Sequence, residues 1–111
     1  MSPDLEAQAA QAAKILKAMA HGGRLLVLCY LSEAGEMSAG QLTQRVGLSQ
    51  SALSQHLALL RADGLVATRK EGQSVYYRLA DPKVQALLGA LHDIYCPALV
   101  VHNSAEVYSD R

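Results

Sequence analysis

LSQSALSQHLALLRADGL, residues 48 to 65, reads as a helix that holds an uncharged polar face clear of the core. Ser49 can cap it, since a serine hydroxyl there accepts from a free amide of the first turn. Leu53, Leu57 and Leu60 recur at helical spacing and predict one buried face, while Asp63-Gly64 predicts the stop. The remaining face carries Gln50, Ser51, Ser54, Gln55 and His56. An ordinary solvated face is rich in Glu and Lys, which favour helix and solubility. Gln and Ser instead both donate and accept, as groups that read base edges or meet phosphates must. For this segment alone, a bland surface helix is the alternative.

The flanking segments narrow the choice. EMSAGQLTQRVG, residues 36 to 47, predicts a short helix, with Ser38 and Gln41 at capping-box spacing and Leu42 and Val46 as its apolar positions. Gly47 ends it two residues before Ser49. Two short helices joined by a tight glycine turn make a helix-turn-helix, whose second helix enters the major groove of DNA. After Gly64, Leu65 to Lys70 and Ser74 to Leu79 read as strands around a Glu71-Gly72-Gln73 turn. Arg69, Lys70 and Arg78 fall on this hairpin, with Tyr76 and Tyr77 on opposite faces of its second strand. A basic hairpin behind such a helix pair is a wing, able to follow the phosphate backbone or the adjacent minor groove.

Charge is distributed to match. The chain of 111 residues carries ten basic and ten acidic side chains and is formally neutral, which argues against a general polyanion binder. Residues 41 to 78 hold Arg45, Arg61, Arg69, Lys70 and Arg78 against Asp63 and Glu71, a local excess of three positive charges. The basic groups gather where DNA would lie.

The length predicts a single domain over 1–111, with a flexible polar tail at 97–111. Half the residues are apolar, but Phe and Trp are absent, so the core must be aliphatic. Small aliphatic domains gain from extending the core across a dimer interface. Neither a membrane span nor a secretory signal is expected. Leu5, Ala9, Ala12, Leu16 and Met19 mark a first helix, broken by His21-Gly22-Gly23. Arg24 to Leu31 predicts a second, apolar nearly all round and hence buried. Asp81-Pro82 opens a last helix with the stripe Val84, Leu87, Leu88, Leu91 and Tyr95. These terminal stripes are the expected dimer surface. The predicted class is mainly α with a small β-hairpin: five helices and a wing, with a helical dimer interface.

The run LSQSALSQHLALLRADGLVATRKEGQSVYYRL, residues 48 to 79, closely resembles the ArsR family of bacterial winged-helix repressors, and the resemblance covers about residues 10 to 96. It implies a cytoplasmic homodimer that binds an inverted-repeat operator and releases it when a ligand or chemical modification arrives. The DNA-contacting positions it implies are Gln50, Ser51, Ser54, Gln55 and His56, with Arg69, Lys70 and Arg78 on the wing. Thiolate metal sensing would need cysteines near Met37 to Val46, and that segment has no Cys or His. His92, Asp93, His102 and Glu106 are the residues available for a metal site on the last helix, the alternative sensing mode, although their spacing does not fit the family pattern cleanly. No cofactor is expected.

Cys29 and Cys96 remain. Alone, Cys29 within LLVLCYL reads as a small apolar core residue, and Cys96 as an inert or a reactive thiol at a helix end. His92 precedes Cys96 by one helical turn, near enough to favour a thiolate. One cysteine in the second helix and one at the end of the last resembles the sulfide- and persulfide-responsive branch of the family. The resemblance implies that a di- or polysulfide link between Cys29 and Cys96 releases the operator. An enzyme would need a convergent constellation with a third orienting group, which the His92–Cys96 spacing does not supply. A pure interaction module is the remaining non-enzymatic alternative.

Overall fold

The computed structural model describes residues 3–95, and within them the chain forms five helices and three strands. In chain order these are α1 (Pro3–Met19), α2 (Gly22–Ala34), β1 (Met37–Ser38), α3 (Ala39–Val46), α4 (Gln50–Ala62), β2 (Val66–Glu71), β3 (Ser74–Leu79) and α5 (Pro82–Tyr95). The tail expected at 97–111 lies outside the described residues.

Local chemistry sets most boundaries. Ser38 accepts from the Gln41 amide while the Gln41 side chain accepts from the Ser38 amide, a complete capping box at the start of α3. Gly47 closes α3 in the left-handed region at φ 71°. Ser49 then accepts from the Ala52 amide at 3.0 Å and starts α4. At its other end the Leu65 amide reaches the Leu60 carbonyl and the Gly64 amide reaches that of Arg61, the paired bonds of a Schellman turn. Asp81 accepts from the Lys83 amide ahead of Pro82 and opens α5.

Two expectations change. The first helix does end before His21, but α2 starts at Gly22 and not at the expected Arg24, because His21 Nδ1 accepts from the Gly23 amide and caps it. An imidazole acceptor thus does the work usually given to Ser or Asp. Nor is α2 buried all round. Val27, Leu28 and Leu31 pack inward, while Leu26, Cys29 and Glu33 are exposed. Among the described residues, this side of α2 is met only by α5, across an open groove.

The wing also proves larger than a hairpin. The sheet has three antiparallel strands in the order β1-β3-β2, with Met37 opposite Tyr77 and Ser38 opposite Tyr76. Glu71 pairs with Ser74 and belongs to β2, which leaves Gly72-Gln73 as the turn, Gly72 at φ 63°. A two-residue strand such as β1 carries too little alternation to be recognised from sequence.

The core is aliphatic, as the composition demands. Leu28 and Leu31 of α2, Leu42 of α3, Leu53 and Leu60 of α4, Leu65, and Val84 of α5 are fully buried in one cluster. The three leucines predicted for α4 are its buried residues. They fix the helix by one face and leave the other exposed.

Candidate nucleic-acid interface

On α4, Gln50, Ser51, Ser54 and Gln55 are all exposed. None of the four spends its side chain on a hydrogen bond among the described residues, so their donors and acceptors are available to a groove. The capping box of α3, the Gly47 turn and the Ser49 cap hold this face at a fixed angle to α3.

His56 is placed differently from those four. Its ring lies 4.6 Å from that of His21, tilted by 51°. Its Nδ1 is buried with no hydrogen-bond partner among the described residues, as is Nε of Arg24. Burial, and then the charges of His21 and Arg24, hold its pKa below the ordinary histidine value. A side chain at Gly23 would come within 3.0 Å of His56 Nε2, so the glycine provides the space for this ring. A helical wheel places residue 56 on the flank of α4, and only the His21 contact shows which way it turns.

The wing cations also divide. Lys70 and Arg78 are exposed and form no ion pair among the described residues. Arg69 is held by two carboxylates: Nε and Nη2 donate to Glu36 at 2.7 and 2.9 Å, and Nη1 donates to Glu71 at 2.8 Å. Its guanidinium also stands 4.6 Å from the centre of the Tyr76 ring. Arg69 draws the Glu36 carboxyl below its usual range, chiefly through the hydrogen bond, and Glu36 and Glu71 raise the Arg69 pKa. Sequence reasoning missed Glu36. Its only signal was an acid two residues before the capping serine, and the pairing crosses 33 positions.

The second cluster lies between α2 and α5. Cys29, Ser32, Glu33, Leu88, Gly89, His92 and Asp93 line an open cavity of about 290 Å³. Cys29, Leu91, His92 and Tyr95 share a more apolar lining alongside it. The sequence placed His92 beside Cys96, and the structure also brings it to the groove that Cys29 lines. Cys29 is exposed, not the core residue its apolar neighbours suggested. Cys96, His102 and Glu106 lie outside the described residues. Among the described residues no three His, Cys, Asp or Glu side chains gather as a metal site.

Comparison with known proteins accords with this arrangement. The family model for bacterial regulatory proteins of the arsR family matches residues 21–68, from the His21 cap through α4 into β2. The transcriptional activator HlyU of Vibrio cholerae is 53% identical over 95 residues, covering 86% of this chain and 87% of its own. A solved structure of reduced HlyU from Vibrio cholerae superposes with a TM-score of 0.80 at 52% identity, over 86% of this chain and 99% of that one. The transcriptional repressor BigR from Xylella fastidiosa gives a TM-score of 0.78 at 41% identity, over 86% and 98%. These are winged helix-turn-helix regulators, matched over nearly their whole length and at identities well above those of fold likeness alone. The chain belongs to the ArsR family of bacterial transcriptional regulators.

Proposed function

We propose that this protein is a cytoplasmic, homodimeric repressor that binds an inverted-repeat operator and releases it when Cys29 and Cys96 become linked through sulfur. The observation that carries the DNA reading is the face of α4. Four uncharged hydrogen-bonding side chains stand exposed, and unengaged among the described residues, on a helix capped at both ends. Gln50, Ser51, Ser54 and Gln55 read base edges, with His56 on the flank of the same helix. Lys70 and Arg78 meet phosphates. Two copies related by a two-fold axis present these helices to successive major grooves about 34 Å apart.

The sulfur switch is supported by the α2–α5 groove. Cys29 is exposed there with His92 opposite, and Tyr95, the residue before Cys96, lines the same space. The reaction needs an oxidant, and an inorganic polysulfide supplies it. A thiolate attacks a sulfane sulfur, forming a protein persulfide and expelling a shorter polysulfide anion. The second thiolate then attacks the protein-bound sulfur and displaces hydrosulfide. Two cysteines lose two electrons in total, and the S–S bond of the polysulfide gains them. Where the first attack leaves a longer chain, Cys–S–S–S⁻, attack of the second thiolate on its middle sulfur expels hydrosulfide and keeps one sulfur in the link, which relaxes the Cα limit of about 7 Å on a direct disulfide. Because Cys29 is exposed, burial gives no reason to rank Cys96 ahead of it as the attacking thiol.

Duplexes selected from a random pool, followed by intact-mass analysis and titration, test both parts. The reduced protein should bind an inverted repeat. Polysulfide should change the mass by the loss of two hydrogens plus any sulfur atoms kept in the link, and weaken binding, and neither Cys29→Ser nor Cys96→Ser should respond. A Cys29→Ser protein that still releases the operator rules out the two-thiol switch. Release by zinc without a change in thiol mass would move the site to His92 and neighbouring acids.

A further inference from the structure

Arg69 lies on β2 opposite Tyr76 of β3, which in turn lies opposite Ser38 of β1. Its guanidinium passes over the Tyr76 ring and forks onto Glu36, the residue just before β1. Strands two apart in a sheet are separated by roughly 10 Å. One side chain therefore spans the whole sheet, fastened at 2.7 and 2.9 Å on its far side and steadied by Glu71 at 2.8 Å on its own strand. Glu36 leads into Ser38, whose hydroxyl caps α3. The brace thus joins the outer wing strand to the start of the helix pair.

The wing needs such a fastening. β2 is an edge strand, and β1 attaches to β3 through two residues only. Leu65 and Val66 are buried and Tyr77 and Leu79 pack against the core, so the base of the hairpin is anchored, while beyond it strand pairing alone leaves the outer part free to tilt. Charge argues against a direct phosphate role as well. Arg69 faces two carboxylates at hydrogen-bond distance, so a phosphate would have to displace or share them.

We propose that Arg69 is a positioning residue: its fork onto Glu36 across Tyr76 sets the angle of the wing, so that Lys70 and Arg78 meet the operator backbone. This rests on the DNA-binding reading above. Lysine cannot replace it, because a single ammonium cannot make the planar two-bond fork while lying over the ring.

The two roles give opposite results for Glu36→Gln. If Arg69 contacts phosphate, removing the carboxylate frees a cation and strengthens binding. If Arg69 positions the wing, the same change weakens operator binding, by about two- to fivefold on the scale of an exposed ion pair. The slope of log affinity against log salt adds a second readout. Lys70→Ala should lower it by about 0.9, the value of one phosphate contact, and adding Arg69→Gln to a Lys70→Ala, Arg78→Ala protein should lower it no further, because Arg69 acts only through those two cations. Equal or tighter binding by Glu36→Gln, or a slope lowered by one further contact when Arg69→Gln is added to Lys70→Ala, Arg78→Ala, overturns the proposal.

Amide hydrogen exchange of residues 66 to 79 separates this outcome from failure of the DNA reading. Exchange there should quicken in Glu36→Gln without DNA present, in a protein whose melting remains cooperative. Unchanged exchange overturns the brace. Loss of wild-type operator binding with quickened exchange overturns the DNA reading alone.

Discussion

His56 sits on α4 yet turns from the face of Gln50, Ser51, Ser54 and Gln55 to pack against His21. Because Nδ1 is buried with no partner among the described residues, adding a proton places a poorly hydrated charge beside Arg24 and His21. The folded chain therefore takes up this proton at lower pH than the unfolded chain, whose histidine titrates near about 6.5. The contribution of neutral His56 is present in full above that value and is lost as pH falls toward the depressed folded pKa. His56→Leu should thus lose less stability than the wild type between about pH 7.5 and about pH 5.5, measured as urea midpoints. Parallel profiles for the two proteins would show that His56 does not titrate against the fold. The contact also bears on Gly23. With His56 Nε2 3.0 Å from any added Cβ, Gly23→Ala requires the ring to shift by a few tenths of an ångström.

Elements were legible where their signals are local. The Ser38–Gln41 box, the Gly47 turn, the Ser49 cap and the Asp63-Gly64 stop each depend on residues within a few positions, and all lie where the sequence placed them. Leu53, Leu57 and Leu60 were legible for the same reason. Long-range pairings were not. β1 exists because Met37 and Ser38 lie beside Tyr77 and Tyr76, and Glu36 matters because folding brings Arg69 to it. The burial of α2 was misjudged because an apolar sequence does not say whether another element is available for each face. The exposed Cys29 follows from that error. The caps allow a direct measurement. Ser49→Ala removes the bond to the Ala52 amide and should destabilise the protein by about 1 kcal/mol in denaturant. It should also fray the turn carrying Gln50 and Ser51, so the preference for operator over random duplex should fall more than overall affinity. Equal losses on both duplexes would mean that this turn supplies attraction without base reading.

At the scale of the whole molecule, the apolar surface left uncovered is the remaining question of packing. Leu5 and Leu16 of α1 and Ile94 and Tyr95 at the end of α5 are 49%, 54%, 65% and 77% exposed, although their helices carry apolar stripes. Burying one such side chain completely is worth roughly 1.5–3 kcal/mol. A second copy placing its α1 and α5 against these residues would cover them on both subunits and hold the two α4 helices at a fixed spacing. The double change Leu16→Asp with Ile94→Asp should therefore give a monomer in sedimentation at micromolar concentration, with helix content retained because neither residue is in the core. Each monomer keeps its own reading face, so binding to a single half-site should survive. Binding to the inverted repeat should drop much further, because linkage of two half-site contacts raises avidity by about 10²–10⁴. A variant that remains dimeric would place the interface on another surface. A monomer that holds the inverted repeat with wild-type affinity would mean that one recognition helix suffices and that the two-fold arrangement has no part in binding.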